Sequence, residues 1–309
     1  MIDPLLSSAG PAALLTDHLD PHTARLDTDG QPVHVEYAWF STAELLAEDG
    51  ALLRQQHTRL VEAVDTPPAA AAKYLAGWYG GWLAESVGFV YAMAGAGALT
   101  DTSVRWRQHP EGWIDRVDIA SCSMAVASDH PWAHRTDVVV LADDAAVRHA
   151  TVAALTDLLS PVLAVCRSTA RVGWNSLWAE VADGIGMALA FTPRLPQAPL
   201  AAAPLRELLD TPSAPWKARP DLWVATTETG PFAMGRKGGC CLAYTADREP
   251  PDPTDPDLDS YHRAYLQRFP TAPDTPNYCS TCCFRKLEDV EARQRFWLAH
   301  RGCTAPVDS

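Results

Sequence analysis

The sequence predicts an α+β fold, with a mostly helical main domain, short antiparallel strands and a small C-terminal segment built around cysteines. Three observations carry this. Apolar residues recur three and four apart through two long blocks, 42–91 and 137–191. A stretch between them alternates polar and apolar residues around a Pro-Glu-Gly turn. Five of the eight cysteines crowd into two short pieces near the C-terminus, "GGCCLAYTAD" and "YCSTCCFRK".

Along the chain, "TAELLAEDGALLRQQHTRLVEAV" and "PPAAAAKYLAGWYGGWLAESVGFVYAMAGAG" read as two or three helices, the second opened by Pro and closed by Gly. "VRWRQHPEGWIDRVDIASCSMAVAS" reads as a hairpin or two short strands. "DVVVLADDAAVRHATVAALTDLLSPVLAVCRSTARV" is a short strand at most, then a long helix interrupted or kinked at Pro161. "GWNSLWAEVADGIGMALAF" adds a helix. After a Pro-rich link, "LWVATTETGPFAMGR" reads as strand, turn and strand leading into the first cysteine pair. Seven prolines and five aspartates between Glu249 and Asn277 predict an exposed loop with one helical turn at "YHRAYLQRF", and a helical period returns after Cys283 to end near Gly302. The expected division is a larger domain over 1–237 and a cysteine-bearing segment over 238–309, with the Pro/Asp-rich loop at 249–277.

Composition narrows the function. At 47% hydrophobic and 20% charged residues, without an uninterrupted apolar run of about 18, the chain reads as a soluble protein with no transmembrane segment. "MIDPLLSSAGPAALLTDHLD" has acids and prolines where a secretory signal has a basic region, so the expected location is the cytoplasm, where clustered cysteines bind metal or do redox chemistry more often than they form disulfides. A net charge of −13 argues against nucleic acid as a partner and favours neutral or cationic small ligands.

Cys279 and Cys282 form a C-x2-C, which lets a tight turn present two thiolates to one metal. Cys240 and Cys241 are adjacent, and in a regular strand their side chains would leave on opposite faces. Gly238 and Gly239 before them can take positive φ and bend the backbone so that both converge. Four thiolates then surround one site, which the count alone leaves open between zinc and iron-sulfur, with spacing slightly favouring zinc. Buried apolar cysteines are the bland alternative for the doublet.

"CCLAYTAD … YCSTCCFR" resembles the C-terminal signature of the ferric siderophore reductases of the FhuF type, and weaker similarity extends back through "GPFAMGRKGGCC" and "RVGWNSLWAEVADGIG" over most of the chain beyond about residue 60. The resemblance implies a 2Fe-2S cluster held by Cys240, Cys241, Cys279 and Cys282. It implies a cytoplasmic oxidoreductase that passes one electron to siderophore-chelated Fe(III), releasing Fe(II), with electrons supplied by a ferredoxin or an NAD(P)H-dependent reductase. The chain departs from the family in a far longer interval between the pairs, and in Cys283 where the family commonly has proline, which makes Cys283 a rival fourth ligand. A longer loop costs little closure entropy.

Other residues are weighed beside this centre. Arg236 and Lys237, like Arg285 and Lys286, place positive charge next to the thiols or are ordinary surface charges. Trp174 and Trp178, four apart on one helical face like Trp78 and Trp82, pack a core or wall a bulky ferric chelate. The acidic balance favours a neutral or cationic ferric hydroxamate over an anionic catecholate. His18, His22, His130 and His134 read as surface residues, Cys122 and Cys166 as core, and Cys303 as a structural or free thiol. "AGAGALT" ends a helix and lacks the third glycine, so it is not a dinucleotide loop. The competing functions are an iron-sulfur redox sensor and a zinc-stabilised binding module without reductase activity.

Overall fold

The computed structural model describes residues 37–302, except 101–102, 110–111, 120–121, 189–201, 228–229, 246–251, 253, 255, 257 and 272–275. Helix and strand are mixed as the α+β expectation requires. Strand β1 (Ala38–Ser41) runs into α1 (Thr42–Ala63) through a capping box: Ser41 Oγ accepts the Glu44 N–H at 3.3 Å, and Glu44 Oε2 accepts the Ser41 N–H at 2.7 Å. The helix is broken at Glu48, Asp49 and Gly50, all in left-handed φ. Glycine is needed at the third because its Cα lies against the Val165 side chain, where no Cβ fits.

α2 (Pro68–Ala76) starts on proline and passes through a π turn, Gly77–Gly81, into α3 (Trp82–Ala94). α4 (Asp144–Thr169) and α5 (Trp174–Met187) pack against these helices. The expected break at Pro161 does not occur: α4 runs through it as one helix. Among the described residues α4 is the helix long and apolar enough to cross a membrane, and half of that stretch is buried inside the fold.

α3 and α5 approach closely because small residues meet: a Cβ on Gly184 would collide with the Gly81 backbone, and one on Gly88 would press on Ile185. This crossing sets the depth of α5 and therefore of everything attached to its inner face. The main core, including Leu75, Tyr79, Leu83, Trp106, Leu155, Leu159, Trp178 and Val181, lies between the helices and the strands.

Strands β2 (Gly97–Leu99), β3 (Val104–Gln108), β4 (Ile114–Ile119), β5 (Ser123–Ala127) and β6 (Val138–Leu141) make two three-stranded sheets, β1-β3-β4 and β2-β5-β6. The expected hairpin is β3 and β4, with His109 N–H bonded to the Trp113 carbonyl at 2.8 Å across the turn. Not every strand is antiparallel, however. β5 and β6 pair in parallel, because the connection between them crosses over, anchored by buried Trp132 and by His130. His130 is thus structural rather than a surface residue: its Nδ1 accepts the Trp132 N–H at 3.1 Å, so Nε2 carries the proton donated to the Ala94 carbonyl at 2.7 Å. His134 is exposed, and His18 and His22 lie outside the described residues. In "AGAGALT" Gly95 caps α3 at φ 66° and β2 follows, as expected of a helix end.

α6 (Ala202–Leu209) leads to a third sheet, the hairpin of β7 (Asp221–Thr227) and β8 (Gly230–Arg236). α7 (Ser260–Arg268) occupies the supposed loop and is longer than the single turn expected there, capped by Asp259 on the His262 N–H at 2.8 Å. α8 (Leu287–Trp297) ends in a π turn, Leu298–Gly302. The β7–β8 hairpin and α8 share a small apolar cluster of Ala225, Phe232, Met234 and Leu298, flanked by Trp223 and Trp297. Gln294 on α8 also accepts the Gly235 N–H at 3.2 Å, so the C-terminal segment is fastened to the strand that precedes the first cysteines.

Candidate metal centre

β8 carries the chain out of the sheet at Arg236, and the next five residues are shaped by α5. Asp183 on the inner face of α5 accepts the Gly238 N–H at 2.7 Å on one carboxylate oxygen and the Gly239 N–H at 3.2 Å on the other. Neither glycine takes the positive φ expected of it. They are small for another reason: a Cβ on Gly238 would enter the Arg219 backbone, and one on Gly239 would press on Ala179 Cβ. The bend falls later, at Leu242 with φ 60°. There the Leu242 N–H turns back on Cys240 Sγ at 3.4 Å, and the Ala243 N–H bonds the Cys241 thiol.

The second pair sits on a tight turn in which the Cys282 N–H bonds the Cys279 carbonyl at 3.1 Å and the Arg285 N–H bonds the Cys282 carbonyl at 3.0 Å. Arg285 clamps this turn. Its Nε donates to the Cys279 carbonyl at 2.8 Å, Nη2 to the Tyr278 carbonyl, and Nη1 to Asp289 on α8 at 2.8 Å. The Lys237 N–H donates to the Thr281 carbonyl at 2.9 Å and so ties the two cysteine segments together.

The result brings one thiol of each pair together, with the others nearby. Cys241 Sγ and Cys279 Sγ are 3.9 Å apart, Cys282 bonds Cys279, and the Cys240 thiol is close enough to act electrostatically on Cys282 and Cys283. A tetrahedral ion with bonds of about 2.3 Å places two sulfurs about 3.8 Å apart, so the first pair already has the separation of thiolates on one metal. None of the seven described cysteines is in a disulfide. Backbone N–H groups serve Cys240, Cys241 and Cys282, the donors that stabilise thiolates and tune a cluster. In residue type and backbone placement the set fits a thiolate-held centre, although among the described residues no three His, Cys, Asp or Glu side chains converge as ligands.

Cys282 is turned inward, only 2% exposed, and its thiol is held below the usual value by the bond with Cys279 and by the Phe284 N–H, against the opposing effect of burial. Cys283 is more open, and its thiol is pushed up by burial and by Cys240. Cys241 is also raised, first by its bond with Cys279. Tyr244, Tyr278 and Phe284 pack edge to face over this side, with centroids 5.1 to 6.1 Å apart.

Beneath the thiols lies a set of charges. Glu180 pairs with Lys73 at 2.9 Å and with Lys237 at 3.7 Å; Lys73 and Glu180 are fully enclosed, and Lys73 is also held by Ser176. Burial opposes the Lys237 ammonium, but Glu180, Asp183 and the thiols of Cys241 and Cys279 outweigh it and raise its pKa. Burial pushes the Asp183 carboxyl up to about 7, against the pull of Lys237 and the two glycine N–H groups. Lys237 is therefore a partly buried countercharge facing the sulfurs. Arg236 is committed elsewhere, to Asp221 at 2.9 Å and to the Arg285 carbonyl at 3.1 Å. Lys286 is exposed at the start of α8.

The tryptophans do not form a wall at this site. Trp178 is 5% exposed in the main core, Trp78 and Trp82 pack partly buried against it, and Trp174 stands at the surface under the Arg167 guanidinium at 5.2 Å. Cys166 is fully buried, its thiol pushed up to about 12 by burial, and Cys122 is partly buried, as the core reading expects. Cys303 lies outside the described residues. Residues unanticipated from sequence are Asp183, Glu180, Lys73 and Glu85. For Glu180 and Asp183 the signal was available in "LWAEVADGIG", where two acids three apart interrupt a helix that is otherwise apolar.

No protein-family model matches this sequence, and neither the curated proteins nor the solved structures yield a match.

Two outcomes follow from the geometry. With a metal on this set, Cys282→Ser should abolish its binding and any colour that it gives, while Cys283→Ser should keep both; loss only in Cys283→Ser would reverse the assignment. The second concerns Glu85, whose carboxyl burial pushes up to about 8 against a downward pull from Lys237. Its folded-state value lies above the ordinary 4.5, so the fold favours the protonated acid, and stability due to Glu85 falls as pH climbs from about 4.5 and stops falling near 8. In denaturant unfolding from about pH 5 to 9, Glu85→Gln should gain on the wild type up to about pH 8 and run parallel above it. A difference that stays flat across that range would contradict this assignment.

Proposed function

We propose that the protein is a cytoplasmic ferric-siderophore reductase of the FhuF type, holding a 2Fe-2S cluster on Cys240, Cys241, Cys279 and Cys282. The observation that carries this reading is the meeting of two cysteine pairs, separated by residues 242–278, with sulfurs of Cys241 and Cys279 at 3.9 Å and no disulfide. The motif resemblance supplies the metal's identity, which thiol number and spacing leave open.

Such a cluster supplies one electron at a time, at a potential set by charge, hydrogen bonds to sulfur and exposure. The chain's own residues address each of those controls. Lys237 offsets the negative charge that reduction adds, and Glu180 and Lys73 hold it in place. The N–H groups of Leu242, Ala243 and Phe284 bond the sulfurs of Cys240, Cys241 and Cys282. Tyr244, Tyr278 and Phe284 pack against one another beside them.

The substrate is Fe(III) bound by hard oxygen donors; one electron gives Fe(II), a softer and less charged ion that such donors hold less well, so the metal is released. The electron comes from a ferredoxin or an NAD(P)H-dependent reductase. With a net charge of −13, the protein attracts a neutral or cationic ferric hydroxamate in preference to an anionic catecholate.

Dithionite-reduced protein mixed anaerobically with each ferric chelate, with a chromogenic trap for Fe(II), tests this. The reading expects absorbance to recover with the hydroxamate faster than with the catecholate, and many Fe(II) per protein when reductant is in excess. Cluster reoxidation without Fe(II) release beyond one equivalent would make the protein a redox sensor, and colourless protein carrying one zinc would make it a binding module. Equal rates with the two chelates would remove the charge argument alone.

A further inference from the structure

We infer that the segment inserted between the cysteine pairs builds the site where the iron chelate binds, in a pocket walled by α7 and α8 and opening onto Cys279. The inference rests on the reductase reading and adds to it the place and chemistry of substrate binding.

α7 is not a stray turn in a loop. Tyr261 packs tilted and Tyr265 edge-on against Phe296 of α8, with centroids 6.0 and 5.8 Å apart, the Arg293 guanidinium donates to Tyr265 Oη at 2.7 Å, and it lies 4.5 Å from the Phe269 ring centre. These contacts hold α7 away from the C-x2-C turn. The gap left between them is a cavity of about 330 Å³, lined by Tyr261, Tyr265, Tyr278, Trp297, Arg293 and Cys279 among others. A molecule resting there touches a residue that holds the proposed redox centre.

The lining selects a chemical class. Four aromatic rings offer flat apolar faces, and the side chains of Asn277, Ser280 and Gln294 offer hydrogen bonds at the edge. Its two basic side chains already have partners: Arg293 shares the Asp289 carboxylate with Arg285, at 3.0 and 2.8 Å, and His262 bonds Asp259 at 2.7 Å. The pocket therefore suits a ligand with no net charge and partly apolar arms. Iron(III) bound by three hydroxamates is electrically neutral. A nicotinamide dinucleotide suits it poorly, because its pyrophosphate calls for cations or a glycine-rich loop of N–H donors that this lining lacks. At this volume, near the lower end of the range of about 300–1,000 Å³ for small-molecule sites, the cavity admits the iron-bearing core of the chelate and leaves its arms outside.

The test uses a gallium(III) trihydroxamate, which matches the ferric chelate in charge and shape but is not reduced, titrated calorimetrically into the full-length protein. Leu266→Trp and His262→Trp each fill the cavity while leaving all the cysteines in place. Each should weaken gallium-chelate binding at least tenfold and raise KM for the ferric chelate with kcat retained, with the visible spectrum and melting curve unchanged. Because Leu266 is partly buried, the more exposed His262 provides the second variant should the first fail to fold. Wild-type affinity in a folded, cavity-filled variant, or no gallium-chelate binding by the wild type, would overturn the pocket while leaving reductase activity to stand. Conversely, weakened binding in the variants of a protein that reduces no chelate would uphold the pocket and overturn the reductase reading.

Discussion

Much of the site depends on the Asp183 carboxylate gripping the N–H groups of Gly238 and Gly239. It draws the chain leaving β8 onto α5 so closely that no side chain fits at either position. Two adjacent cysteines then emerge from a fixed backbone rather than from a mobile loop, and the turn at Leu242 bends the chain back toward Cys240 and Cys241. Burying a carboxyl is costly, and the cost is visible in its raised pKa. The glycine N–H donors and Lys237 offset part of it, so the interaction that shapes the site also holds a cation beside the thiols.

The remaining contacts transmit that anchoring across the C-terminal segment. Arg285 clamps the C-x2-C turn by its carbonyls, the Lys237 N–H ties that turn to the end of β8, and Gln294 ties α8 to Gly235. The last two join residues far apart in sequence, so closing the long interval between the pairs does not rest on the thiols alone. The interval contributes structure of its own in α7, which packs on α8 through Tyr261 and Tyr265.

Sequence periodicity was a good guide wherever one physical rule acted alone. The helices at 42–63, 68–94, 144–169 and 174–187 follow from apolar spacing, and the hairpin of β3 and β4 follows from alternation around its turn. It was a poor guide where tertiary packing decided. Pro161 does not interrupt α4, which continues through the missing donor while packed against α1, α2 and α5. The parallel pairing of β5 and β6 depends on a crossover whose anchors, Trp132 and His130, have no local signature. Gly238 and Gly239 were legible as necessary but for the wrong reason: close approach to Arg219 and Ala179, not positive φ, excludes larger residues. The cysteines could be picked out as a set, whereas Asp183, Glu180 and Lys73 could not be assigned to them, since nothing in one sequence says which buried charges face which loop. Trp178 illustrates the converse, a residue whose helical spacing suited a ligand wall as well as the core it occupies.

The central claim is that sulfur atoms from two distant parts of the chain hold one iron-sulfur cluster. Quantifying iron, zinc and acid-labile sulfide in protein purified without oxygen tests it most directly. The account predicts two irons and two sulfides per chain and no stoichiometric zinc. Zinc at one per chain, or iron without sulfide, would contradict it.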